Sequence, residues 1–293
     1  MTQLGYSPNR AARALRNGRF GTIGVITQRF QRTGETLTTA AVTEAAESHG
    51  LSVNLIQVAH PETEDLKNAA YRLSHQAIDG LIVVRVGHAT YESLSIPQGL
   101  PVAVSDSKLI GYYPSVFADQ IKGTQAAVAH LLALGHRTVH HIAGAPDSQP
   151  SVVRQAAWQQ ALTAAGITPS DPWMGDWTAR SGYEAGRAIA QRTDVTAVYC
   201  ANDEMAFGLL RALHESGRKV PQDVSVVGFD DIALSEFSSP PLTTIHQDFD
   251  RIGHELVRLI LEQLDGQLAA AQTQVVVPTR LVVRATTAPP GAE

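Results

Sequence analysis

The chain reads as an α/β protein made of two parallel-sheet units, each with helices on both faces. From residue 20 onward, short β-rich runs alternate with amphipathic stretches, the pattern of parallel strands joined by crossover helices. The runs are continuously apolar, as in Leu81-Ile82-Val83-Val84, which marks strands buried on both sides. The length of 293 residues leaves room for two ordinary domains of ~100–200 residues. Each unit is therefore expected to hold about four or five strands.

The strands are expected at 22–26, 51–59, 80–86, 101–106, 115–119, 138–144, 197–203 and 224–231, where β-branched and apolar residues cluster. Between them, helical spacing covers 35–49, 62–78, 121–135, 151–165, 179–192, 203–217 and 249–264. Three of these helices stop at glycine, in Ser48-His49-Gly50, Ala164-Ala165-Gly166 and Glu215-Ser216-Gly217, as helix ends favour. A break falls at Leu134-Gly135-His136-Arg137, where a helix ends and a new strand begins. Ligands of such folds bind at the carboxyl ends of the strands. That directs attention to Asp106, Asp119, Asn202, Asp203, Asp230 and Asp231.

Composition excludes several classes. With 44 % apolar residues and a net charge of -5, the chain is not intrinsically disordered. Its single cysteine, Cys200, forms no internal disulfide and lies in an apolar run as a buried spectator. The longest apolar runs are too short to span a bilayer, and the N-terminus lacks the apolar core of an export signal. A soluble, cytoplasmic protein without membrane contact is expected.

Catalytic signatures are scarce. The sequence has no Gly-x-x-x-x-Gly-Lys, no Gly-x-Ser-x-Gly and no His-Glu-x-x-His. His136, His140 and His141 form the one histidine cluster, but neighbours on a strand point to opposite faces, so three ligands do not converge. Asp230-Asp231 has no nucleophile or base nearby in sequence and reads as a strand-end turn with one ligand hydrogen bond. No enzyme activity, metal or cofactor is expected.

Charge is unevenly placed. Before Glu35 there is no acidic residue but there are six arginines, Arg10, Arg13, Arg16, Arg19, Arg29 and Arg32, leaving -11 on the remainder. A basic arm on an acidic body suits a polyanion. Ser7-Pro8-Asn9 reads as a helix start and Asn17-Gly18 as its stop. The helix so bounded spaces its arginines by three, with small alanines and Leu15 between them, which are the ingredients of a minor-groove element.

The segment Leu4-Gly5-Tyr6-Ser7-Pro8-Asn9-Arg10-Ala11-Ala12-Arg13-Ala14-Leu15 followed by Gly21-Thr22-Ile23-Gly24-Val25-Ile26 resembles the hinge of the lactose-repressor (LacI/GalR) family running into its effector domain. His130 to Arg137, Arg154 to Trp158 (with Ala157 where the family has glycine), Ala201 to Gly208, Val226 to Asp231, and Pro240 to Ile245 followed by Gln247-Asp248-Phe249 resemble further family motifs. They cover nearly the whole chain.

The resemblance implies a periplasmic-binding-protein-like fold of two Rossmann-like lobes with a cleft between them. Residues 1–19 would be the hinge-helix segment, 20–134 plus 248–276 the N-terminal lobe, 135–247 plus 277–288 the C-terminal lobe, and 289–293 a tail. It assigns effector contacts to Arg154, Asn202, Asp230, Trp177 and Phe249, with Lys122, Gln28 and Arg32 at variable cleft-edge positions. It assigns minor-groove contacts to Asn9, Arg10, Ala12, Arg13 and Leu15. The implied partners are a small sugar or nucleoside-like effector, operator DNA in the full-length protein, and a second copy of the chain. Arg154, Asn202 and Asp230 suit a polyhydroxylated ligand, because a carboxylate accepts from adjacent hydroxyls while guanidinium and amide donate.

One departure is large. The family carries a helix-turn-helix headpiece before the hinge, and here only Met1-Thr2-Gln3 precede Leu4. The chain is expected to keep effector binding and dimerisation and to lose most operator affinity. The alternative reading, a sugar-binding protein of a transporter, shares the fold but needs an export signal and has no use for an arginine-rich hinge.

Overall fold

The computed structural model describes residues 19–28, 32–58, 65–85, 94, 96–267 and 271–291. The hinge expectations at Asn9, Arg10, Ala12, Arg13 and Leu15, and the last two tail residues, lie outside the described residues.

Twelve strands are described: β1 (Thr22–Thr27), β2 (Ser52–Gln57), β3 (Gly80–Val84), β4 (Val102–Ser105), β5 (Ser115–Ala118), β6 (His140–Ala143), β7 (Trp173–Met174), β8 (Ala197–Cys200), β9 (Ser225–Asp230), β10 (Thr243–His246), β11 (Gln274–Val277) and β12 (Arg280–Val282). The described helices are α1 (Thr33–Ser48), α2 (Asp65–Ser74), α3 (Gln120–Ala133), α4 (Gln149–Ala164), α5 (Ala179–Ala190), α6 (Asp203–Glu215), α7 (Leu234–Phe237) and α8 (Phe249–Leu264). Gly50, Gly166 and Gly217 follow α1, α4 and α6 with φ of 71°, 76° and 78°. Each is followed by an amide that reaches back to close the helix, as in Leu51 N–H to Ala46 O at 2.9 Å.

The strands form two six-stranded sheets, ordered β11-β5-β4-β3-β1-β2 and β12-β10-β9-β8-β6-β7. This exceeds the four or five strands per sheet that the sequence suggests. The four additional strands carry weak signals: β7 has two residues, β11 buries only Val277, β12 has no buried residue, and β10 reads Thr-Thr-Ile-His. In the second sheet β6, β7, β8, β9 and β10 pair in parallel, and β12 closes the edge antiparallel to β10.

The chain forms two compact units: residues through Phe117 with Phe249–Val275, and Ala118–Asp248 with Val276–Glu293. The sequence reading put 120–134 in the first lobe, and the structure corrects this. Ala127, Val128 and Leu131 of α3 are buried against Trp158, Tyr199, Phe229 and Ile245 of the second unit, so that helix belongs to the second core. The first passage of the chain between units therefore falls at Phe117/Ala118. In the first unit, Asp79 receives the start of β1: its carboxylate accepts from the amides of Phe20, Gly21 and Thr22 at 2.7, 2.6 and 3.1 Å. No described helix is long and apolar enough to cross a membrane.

Candidate functional site

The carboxyl ends of β8, β9 and β10 hold a buried polar group of four side chains. Arg154 enters from α4 and is 1 % exposed. Its Nε donates to Gln120 Oε1 at 2.7 Å, its Nη1 donates to the Ala201 carbonyl, and its Nη2 lies 3.5 Å from Asp230 Oδ1. Gln120 Nε2 donates to Gln247 Oε1 at 3.2 Å, and Gln247 Nε2 donates to Asp230 Oδ1. The four side chains thus close a ring. All four are buried, and charges withdrawn from water are tolerated only when paired and hydrogen-bonded in this way.

Aromatic faces complete the setting. The Arg154 guanidinium carbon stands 3.6 Å from the Phe229 ring centroid and 5.6 Å from that of Trp177, distances at which a ring face attracts a cation. Trp177 takes φ of 79° and packs so closely on Gly144 that a Cβ there would lie 2.4 Å from its ring. Its indole Nε1 is buried without a hydrogen-bond partner among the described residues, which is uncommon for a buried donor.

Asn202 occupies a different role from its neighbours. Its Oδ1 accepts from the Met205 amide at 3.0 Å, capping α6, and its Nδ2 donates to the Trp177 carbonyl at 3.0 Å and to Glu204 at 2.7 Å. It therefore fixes the backbone of Trp177. Asp203 next to it is fully buried and accepts from the Ile232 amide at 3.0 Å and the hydroxyls of Ser235 and Thr244 at 2.7 and 2.5 Å. Burial and the neighbouring Asp230 carboxylate push its pKa up to about 8, against those three donors. Asp231 is held by Arg284 at 2.7 Å and His246 at 3.0 Å.

Phe249 falls in the first unit, under Arg85, whose guanidinium carbon lies 5.6 Å from the ring centroid. Arg85 is paired with Asp106 through Nε at 3.1 Å and Nη2 at 3.0 Å. Of the three residues expected at a cleft edge, Gln28 is buried, Arg32 lies 3.7 Å from Glu35, and the exposed Lys122 lies 3.4 Å from Asp119. Arg85, Asp106, Trp177, Asp230 and Asp231 are the described non-glycine residues with positive φ. All of them follow or end a strand at its carboxyl side, and backbone strain of this kind gathers at functional sites.

Arg154, Asp230 and Trp177 therefore come together, with Asn202 beside them. Gln120, Gln247 and Arg85 join the polar groups without having been singled out as site residues. Gln247 opens the run Gln247-Asp248-Phe249, while Gln120 and Arg85 sit in no recognisable sequence pattern. The histidines go separate ways: His136 meets Thr196, Ser225 and the Ala288 carbonyl, His140 meets Ser170, and His141 meets the Tyr199 carbonyl. Among the described residues, no group of three His, Cys, Asp or Glu side chains is placed to hold a metal ion. The ring offers a cation, a carboxylate, two amides and an aromatic face, which is recognition chemistry for a polar ligand.

Residues 128–287 match the family described as periplasmic binding protein-like domain. The chain is 35% identical over 299 residues to the lactose operon repressor of Escherichia coli (strain K12), covering 100% of this chain and 82% of the repressor. It is 31% identical over 299 residues to the HTH-type transcriptional repressor PurR of Haemophilus influenzae (strain PittEE), covering 96% and 86%. Among solved structures, the lac repressor dimer bound to operator and the anti-inducer ONPF superposes with a TM-score of 0.89 at 33% identity, covering 97% of this chain and 100% of that one. The fold is accordingly periplasmic-binding-protein-like, and the chain belongs to the LacI family of transcriptional regulators.

Proposed function

We propose that the chain is the effector-binding and dimerisation domain of a repressor whose affinity for operator DNA is set by a small polar ligand, a sugar, bound around Arg154, Asp230 and Trp177. The observation that carries this reading is the buried Arg154–Asp230 pair beneath an aromatic face at the strand carboxyl ends. A carboxylate accepts from vicinal hydroxyls, a guanidinium donates to ring oxygens, and a tryptophan covers the apolar face of a pyranose. The reading draws on likeness to a repressor that was solved as a dimer with operator and a small ligand. A nucleoside or purine is the second reading, favoured by the likeness to PurR and by the same aromatic face.

Calorimetry against a panel of sugars, nucleosides and purines tests both. The cognate ligand is expected to lose about 1.5–3 kcal/mol of binding in Asp230→Ala, the worth of a charge-assisted hydrogen bond. Unchanged affinity would remove Asp230 from the site. Light scattering at micromolar concentration is expected to give a dimer, and a stable monomer would overturn that part.

A further inference from the structure

Gln120 and Gln247 do more than fill space between charges. Each primary amide has its oxygen toward Arg154 and its nitrogen toward Asp230. Donors and acceptors therefore run in one sense from cation through two amides to anion, an order in which each bond polarises the next. Glutamate supplies no donor in this series and leucine supplies nothing, so the residue type is dictated by both ends.

The two glutamines also sit beside the places where the chain passes between units. Gln120 opens α3 just after the passage at Phe117/Ala118, and Gln247 follows β10 just before the passage at Asp248/Phe249. The backbone there is knitted to the third passage near Val275/Val276. The Asp119 amide donates to the Val277 carbonyl at 2.9 Å, and the Thr279 hydroxyl donates to the Asp119 carbonyl at 3.1 Å. Gln247 is bound to Asp230 a second time, through its own amide to the Asp230 carbonyl at 3.3 Å.

We infer that Gln120 and Gln247 are positioning residues of the effector site: they hold Arg154 and Asp230 in place and couple the state of that pair to the backbone of the crossing segments. The inference rests on the effector reading for its biological meaning, since Arg154 and Asp230 are the groups a ligand would engage. Its physical content stands without ligand. A change at Arg154 on α4 reaches Asp119 through Gln120, which Arg154 Nε holds directly and which follows Asp119 in the chain.

The test is amide hydrogen exchange of the full chain, unliganded, read by NMR at Asp119 and Gln247 and, as controls, at Tyr199 in β8 and Val227 in β9. Arg154→Lys and Gln120→Leu are each expected to speed exchange at Asp119 and Gln247 at least tenfold and to leave the controls unchanged. The double variant is expected to exchange no faster than the faster single one, because both break the same path. Should the leucine variant not fold, Gln120→Glu keeps the acceptor for Arg154, loses the donor to Gln247 and takes its place. Unchanged crossing amides in Arg154→Lys overturn the inference. So does equal acceleration of the controls, which would mean a merely structural role, or simple additivity in the double variant. Because no ligand is used, a negative result here leaves the calorimetric test of the effector reading untouched, and a failed ligand panel leaves this result standing.

Discussion

His141 is fully buried on β6, stacked on Tyr199 with centroids 4.8 Å apart, its Nδ1 donating to the Tyr199 carbonyl at 2.9 Å and its Nε2 without a hydrogen-bond partner among the described residues. Burial drops its pKa to about 4, so the folded chain keeps it neutral. Between pH 6.5 and 4 the unfolded state binds a proton that the folded state refuses, and stability falls as pH falls through that window. At 1.36 kcal/mol per decade of proton affinity, the loss amounts to about 3 kcal/mol. Asp203 acts in the opposite sense. Its folded pKa near 8 exceeds the ordinary carboxylate value, so the folded state holds the proton longer, and stability falls as pH rises from about 4 to 8. Urea denaturation from pH 4 to 9 checks both. Between pH 4 and 6.5 the two slopes oppose each other, so His141→Phe should leave a decline running from pH 4 to 8. Asp203→Asn should leave a rise from pH 4 to 6.5 with a flat limb above it, since the Thr244 hydroxyl rotates to accept from the new amide, whose oxygen still receives the Ser235 hydroxyl and the Ile232 amide. If neither limb changes, these two groups do not set the pH profile. At this scale Arg154, Asp230 and Trp177 were legible because family motifs point at them. The glutamines were not, because a glutamine becomes informative only when the charges on either side of it are seen in space.

Among the elements, α5 and α6 pack backbone against backbone in the second unit. A Cβ added to Gly208 would lie 1.9 Å from the Ala179 carbonyl oxygen and 2.5 Å from the Tyr183 nitrogen, both backbone atoms that do not swing aside. Gly208→Ala must therefore push the helices apart, and its cost should reach or exceed the 1–3 kcal/mol usual for overpacking. That is a lowered urea midpoint at unchanged slope; an unaltered midpoint would show that the helices separate freely. Such proximity was invisible in sequence, where Gly208 is only a glycine inside a helical pattern. The positions of the longer helices were legible to within a few residues, because apolar spacing and glycine stops act locally, whereas the four-residue α7 is too short to show a period. Strand β10 was not, since Thr-Thr-Ile-His earns its place by pairing with β9 and β12, contacts set by distant parts of the chain. The helix α3 was legible as a helix and misplaced as to unit, because its own sequence does not say which sheet its apolar face will cover.

At the scale of the whole molecule, the second unit depends on a segment far along the chain. Thr286 is fully buried: its hydroxyl accepts from the Thr243 amide at 2.8 Å and donates to the Val226 carbonyl at 2.6 Å, while its carbonyl accepts from the Val226 amide at 2.8 Å. Two residues on, the Ala288 carbonyl accepts from the Ser225 hydroxyl at 2.9 Å and meets His136 Nε2 at 3.1 Å. These bonds close the amino-terminal side of β9 and β10, away from the Arg154 ring at the carboxyl ends. Deleting residues 285–293 would orphan several buried groups at about 1–3 kcal/mol each, a sum comparable with the 5–15 kcal/mol that holds a typical domain. The second unit should then lose its structure, although every residue of the ring is still present. The first unit shares none of these bonds and should persist. Hydrogen exchange is expected to show protected amides in β1, β3 and β4 and none in β6, β8 and β9. Retained protection in the second sheet would mean that the terminal segment is dispensable, and loss of protection in both sheets together would mean that the two units fold as one.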